Sequence, residues 1–314
     1  MLPNYRKSLL KEEKDSFNKK HDLEKDEERI MQGVLVTAYK DKQQLTDLIQ
    51  VLYGHFKIFL HIDAKSKEVD EAELKNAFPE IYVIKKYRIN WGGVNHLKSI
   101  VELLSIALKD REISYFHVIS GQDFPVKSVA EFQKFFEKSD KIYMTCFGED
   151  SFPDVVKERL NYRVINANWD SRKRAIRYIN CVTRMMQEVL NKQRRTLGEF
   201  SKIFKGMVWV SMPRDAALYV SEYTLSHPRY MKDLEHTIVP EEFFFQTILA
   251  NSNYCDQIVN DNLRYTDWVT RYGSRPAYLD ETDIDKIIES NCFFARKIHS
   301  TISQQLVIKL KEHF

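Results

Sequence analysis

Cysteine is sparse. Cys146, Cys181, Cys255 and Cys292 are scattered through 314 residues with no Cys-x-x-Cys pair, which excludes a disulfide framework or a cysteine-built zinc site and suits a reducing cytoplasm. No apolar run approaches the ~20 residues needed to span a bilayer, and no signal peptide opens the chain. Charge of either sign is not in large excess: the formal net charge of +3 is too small to argue for a nucleic-acid partner. The glycine-built phosphate and nucleophile signatures GxGxxG, GxxxxGK[ST] and GxSxG are missing. Asp-x-Asp, used by many nucleotide-sugar enzymes to hold a divalent metal, occurs only as Asp283-Ile284-Asp285, where acids are expected anyway because a helix begins there. Internal repeats and low-complexity linkers are absent too.

What the sequence has is alternation. Residues 1–30 are dominated by Lys, Glu and Asp and read as a charged lead-in, helical or disordered. From Gly33, short apolar runs at 33–38, 56–63, 81–84, 115–120 and 141–146 read as strands, with helical patterns at 43–52 and 94–108. The pattern predicts an α/β fold, a mostly parallel, Rossmann-like sheet flanked by helices. Ligands bind such sheets at the carboxyl ends of the strands, which here carry Thr37, Asp63 and Ser120-Gly121-Gln122-Asp123. Residues 150–204 are polar and basic and read as a helical insertion, either with a solvated face or binding acidic acceptors. The main domain is expected over 31–300, with a helix opening at Thr282 as its cap and an amphipathic C-terminal helix over 301–314.

Several stretches carry chemistry. In Val239-Pro240-Glu241-Glu242-Phe243-Phe244-Phe245, two adjacent acids follow a proline and precede an apolar helix. They read either as capping acids or as a pair of which one, desolvated by the phenylalanines, is a general base. Asp63 is either an exposed strand-end acid or a ligand for a ribose hydroxyl or base edge. Trp91-Gly92-Gly93 suits close approach of a ligand with tryptophan against a sugar face, or a tight turn over a core tryptophan. Arg264, Arg271, Arg275, Arg296 and Lys297 supply late cations suited to phosphate. Aromatics at 12% fit stacking on sugars or bases, and equally a large core.

In order, His61-Ile62-Asp63-Ala64-Lys65-Ser66, Trp91-Gly92-Gly93, Ser120-Gly121-Gln122-Asp123-Phe124-Pro125, Lys205-Gly206-Met207-Val208-Trp209-Val210, Pro240-Glu241-Glu242-Phe243-Phe244, Asn262-Leu263-Arg264-Tyr265-Thr266-Asp267-Trp268 and Phe293-Phe294-Ala295-Arg296-Lys297 resemble the core-2/I-branching glycosyltransferase family, especially its peptide O-xylosyltransferase branch. The resemblance implies a GT-A fold and inverting, metal-independent transfer from a UDP-sugar, xylose or N-acetylglucosamine, to a hydroxyl of a glycan, glycolipid or protein acceptor. It maps the catalytic base onto Glu242 and the diphosphate cations onto Arg264 and Lys297. Donor-side contacts then fall to Asp63, Thr37, Trp91 and Gly92, and acceptor or donor-sugar contacts to Asp123, Trp209 and Glu241. No metal or other cofactor is expected. The animal enzymes carry an anchor, a stem and many disulfides; their lack here suggests a microbial, cytoplasmic enzyme, with peripheral membrane association through the acceptor. Two alternatives remain open: a catalytically inactive sugar- or nucleotide-binding protein of the same fold, and a metal-dependent GT-A enzyme of another family using Asp283 and Asp285.

Overall fold

The structure is a computed structural model that describes residues 31–192 and 196–313. The charged lead-in expected over 1–30 lies outside the described residues. The described residues form twelve strands: β1 Met31–Ala38, β2 Lys57–Ile62, β3 Tyr82–Ile84, β4 Ile113–Ser120, β5 Asp123–Pro125, β6 Ile142–Met144, β7 Phe147–Gly148, β8 Phe204–Lys205, β9 Val210–Pro213, β10 Ile258–Val259, β11 Arg264–Thr266 and β12 Phe294–Arg296. Seven of them make the central sheet in the order β10-β6-β9-β4-β1-β2-β3. Pairing is parallel throughout except at β9, which runs antiparallel to both β4 and β6. The chain leaves β6 at the carboxyl edge of the sheet, makes its insertion there and re-enters through β9 from that edge, so β9 runs the other way.

The strands are buried because both sheet faces are covered, and their side chains alternate between the two faces. Leu35 points into one core, with helices Val94–Ala107, Arg214–Ser226 and Phe244–Ala250. Val34 and Val36 point into the other, with helices Lys42–Leu52 and Val129–Phe136. Local chemistry fixes where these helices start. Asp41 caps the helix at Lys42 by accepting from the Gln44 N–H at 3.3 Å, and Ser128 with Glu131 forms a reciprocal capping box.

A second, three-stranded sheet, β11-β12-β5, stands beside the first; β12 is parallel to β11 and antiparallel to β5, and this register sets Arg296 opposite Asp123. The strand expected over 262–268 is shorter, Arg264–Thr266. The helix expected to open on Thr282 is instead capped by Asp280, whose carboxylate accepts from the Thr282 N–H at 3.0 Å while Asp283 accepts from the Asp280 N–H at 2.9 Å. The described residues of the insertion hold two α-helices, Asp154–Asn161 and Arg174–Val189, and the insertion closes through the short β7–β8 pair. The C-terminal helix Gln304–His313 buries Leu306, Val307 and Leu310 against the small sheet.

Candidate active site

A cavity of about 600 Å³ opens at the carboxyl edge of the sheets. Thr145, just after β6, and Lys205 to Trp209, just before the reversed β9, form one side. Trp91 comes from the loop after β3, Glu242 from the segment before helix Phe244–Ala250, Arg275 from the loop after β11, and Arg296 and Lys297 from the end of β12.

Glu242 ends the 3-10 turn Pro240–Glu242. Proline suits the first position of that turn, and Val239 ahead of it takes a left-handed φ of 56°. Val239 N–H donates to the Gly92 carbonyl at 2.9 Å, and Gly206 N–H donates to the Glu242 carbonyl at 2.9 Å. Both glycines are needed for fit. At Gly92, φ is 70° and an added Cβ would lie 3.3 Å from Ile238, Ser171 and Val239. At Gly206 it would lie 1.7 Å from the Thr145 carbonyl oxygen. In a tight turn of three residues per revolution, successive side chains point in different directions. The two acids therefore part company. Glu241 is buried against helix Val94–Ala107, with Oε1 3.1 Å from His96 Nδ1, and His96 Nε2 lies 3.3 Å from Thr37 Oγ1. Glu242 faces the cavity.

Burial pushes the Glu242 carboxyl above its ordinary pKa, although Lys205, 2.9 Å away, pulls the other way and Arg159 at 3.9 Å adds to that pull. A carboxylate so placed takes up a proton more readily than an exposed one. It keeps about 29% of its side chain open to the cavity, so a hydroxyl has access to it.

The cations form the opposing feature. Lys297 is half-buried and donates to Ser274 Oγ at 3.2 Å; burial, then Arg296 and Lys40, pulls its pKa down to about 8. No carboxylate of the described residues pairs with it. Arg296 donates through Nε to Asp123 at 2.9 Å and stacks over Trp209 at 4.1 Å, while its terminal nitrogens make no hydrogen bond among the described residues. Burying cations side by side is costly unless an anion arrives.

The expected site residues divide accordingly. Glu242, Lys297, Trp91 and Trp209 line the cavity. Asp123 supports it from beneath by orienting Arg296, its carboxylate also accepting from Ser120 Oγ at 2.7 Å. Gly92 packs under the Glu242 turn, and Thr37 and Glu241 make the buried relay through His96. Asp63 ties two loops together by accepting from the Lys65 and Ile89 N–H groups at 2.9 and 3.2 Å. Arg264 requires a correction. It is buried away from the cavity lining and donates to Ser211 Oγ, at 2.9 Å, and to the Asn262 and Val118 carbonyls. It is spent on holding the sheets together. Asp283 is likewise engaged, with Arg271 and the Asp280 N–H. Lys205 was legible only as part of a motif, and Arg159, from the insertion, gave no local signal.

An α/β sheet of seven mostly parallel strands, with its cavity at the carboxyl edge, is of the GT-A-like class. The model of the Core-2/I-Branching enzyme family matches residues 34–288, and the chain belongs to that family. It is 26% identical over 298 residues to a xylosyltransferase of Ciona intestinalis, covering 87% of this chain and 33% of the relative. It is 23% identical over 300 residues to xylosyltransferase oxt of Drosophila melanogaster (86% and 32%), and 24% identical over 306 residues to xylosyltransferase 1 of Rattus norvegicus (89% and 35%). The chain thus spans about a third of the length of these curated relatives.

Proposed function

We propose that this chain is an inverting glycosyltransferase that moves a sugar from a UDP-sugar to an acceptor hydroxyl without a metal. The observation that carries the reading is one cavity lined both by a carboxylate of raised proton affinity, Glu242, and by the cations Arg275, Arg296 and Lys297, of which, among the described residues, Arg296 pairs with Asp123 while Arg275 and Lys297 pair with no carboxylate. Xylose is the first donor to test, because the relatives are named xylosyltransferases; N-acetylglucosamine is the second. The acceptor belongs to the glycan, glycolipid or protein classes.

Glu242 takes the proton of the acceptor hydroxyl as its oxygen attacks the anomeric carbon from the face opposite UDP. The carbon–oxygen bond to the diphosphate breaks, and the electron pair leaves on UDP. Lys297 and Arg296 meet that growing charge, each such contact being worth about 2–4 kcal/mol by comparison with other preorganised donors. Arg275, exposed at the rim, replaces Arg264 as a second arginine within reach. Trp209 and Asp123 hold the Arg296 plane in place.

The test is UDP release from UDP-xylose and UDP-N-acetylglucosamine by the purified chain in EDTA, with UDP affinity measured by calorimetry. Glu242→Gln is expected to lower turnover by about 10²–10⁴, the usual contribution of a general base, while leaving UDP affinity nearly unchanged. Turnover within a few-fold of the parent moves the base elsewhere. A rate that collapses on chelation and returns with manganese overturns the metal-free mechanism.

A further inference from the structure

The insertion helix Arg174–Val189 is mounted back to front. A helix on a globular protein turns its apolar stripe to the core and its polar side to water. Here no residue of the helix is buried. Tyr178, Val182, Met185 and Val189 follow the i, i+4, i+7, i+11 spacing of a single stripe, which Met186 and Leu190 widen. Their exposure runs from 38% at Val182 to 86% at Val189. The half-buried side is mostly polar instead, with Asn180, Thr183, Arg184 and Gln187 beside Ile176 and Ile179. Arg184 reaches Glu158 at 2.9 Å, and Gln187 accepts from the Arg163 N–H and donates to the Arg163 carbonyl. A contiguous exposed apolar stripe of this kind marks a surface that meets something.

Charge decides what. Between 171 and 192 the sole acid is Glu188, against Arg172, Lys173, Arg174, Arg177, Arg184 and Lys192. Arg172 pairs with Asp170, and Arg184 with Glu158 and Glu188. Lys173, Arg174, Arg177 and Lys192 have no ion pair among the described residues. An apolar stripe bracketed by unpaired cations, with a tyrosine among its residues, is the pattern of a helix lying in a membrane interface.

We infer that this helix docks the protein on a membrane carrying anionic lipid, its stripe in the acyl boundary and its cations among the headgroups. Among the described residues no helix is long and apolar enough to cross a membrane, so the attachment is peripheral. The leading end of the helix lies beside the cavity. Ser171 Oγ bonds the Trp91 carbonyl at 3.5 Å, the Arg172 guanidinium lies 5.9 Å from the Trp91 ring centre, and Trp91 lines the cavity. Docking therefore brings the cavity close to the lipid surface.

The experiment is flotation of the full chain with phosphatidylcholine vesicles, with and without phosphatidylglycerol, at low and high salt. The parent is expected to float with the anionic vesicles, to be released by salt and to ignore the neutral ones. Replacing Lys173, Arg174 and Arg177 together by serine is expected to weaken binding about 100-fold, each basic residue near such a surface being worth about fivefold. Val182→Glu with Val189→Glu is expected to abolish binding by placing charges in the stripe. All these side chains are exposed, so circular dichroism and melting temperature are expected to match the parent in both variants. Failure of the parent to float with anionic vesicles at low salt overturns the inference. So does unchanged flotation of either variant, or a concentration-dependent dimer that the two glutamates break.

Discussion

Replacing Lys205 by methionine removes the nearer of the two cations at Glu242 while keeping most of the side-chain volume. The pair stands 2.9 Å apart, with 23% and 29% of the two side chains exposed. At that separation the attraction is about 6 kcal/mol for an effective dielectric of ~20 and about 1.4 kcal/mol in bulk water. With a quarter of each group wet, the lower part of that range applies, and a charge-assisted bond is worth a net of about 2 kcal/mol. Losing that pull raises the Glu242 pKa further. Burial already holds this carboxyl above its ordinary value, and Lys205 is the largest opposing influence. The proposed base works ionised, so activity rises with pH through its pKa and falls on the acid side. The expected result is that the acid limb of the kcat/KM profile for UDP release moves to higher pH in Lys205→Met. The loss is then large near the limb and shrinks to a few-fold at higher pH. A loss of the same size at every pH refutes the reasoning and makes Lys205 a substrate contact. An unmoved limb at full activity would mean that the base is elsewhere.

Other outcomes follow from the same geometry. Lys297→Ala is expected to weaken UDP binding at neutral pH; in the parent, affinity is expected to decline as pH rises through about 8, where the free lysine loses its charge, and calorimetry at several pH values checks both. Arg264→Met is expected to cost about 3 kcal/mol in denaturant unfolding, because several buried oxygens lose their donor, while UDP affinity of the folded fraction stays near the parent value. An affinity loss without a stability loss would return Arg264 to the diphosphate. Gly206→Ala is expected to lower the melting temperature and to reduce turnover together, since its Cβ has no room beside the Thr145 carbonyl and the backbone that holds Glu242 must shift.

Much of the framework is local and was therefore readable from the chain. Short apolar runs mark β1, β2 and β4 because a strand covered on both faces must be apolar on both, and the proline before Glu241 marks where a helical turn begins. That Glu242 and Lys297 share a cavity came from the resemblance, since they are far apart in sequence. Three things were decided by tertiary structure alone. Glu241 and Glu242 carry the same chemistry, and only the rotation of a 3-10 turn clamped between Gly92 and Gly206 sends one to His96 and the other to the cavity. Arg264 and Arg296 both sit in short strands of similar composition. Arg264 begins β11 and Arg296 ends β12; in a parallel pair those ends lie at opposite edges, so one guanidinium is buried among carbonyls and the other reaches the cavity. The insertion helix has the same amphipathic spacing whether its stripe faces in or out. The contacts of Arg184 with Glu158 and of Gln187 with Arg163 turn the stripe outward, and those partners lie 24 or more residues away along the chain.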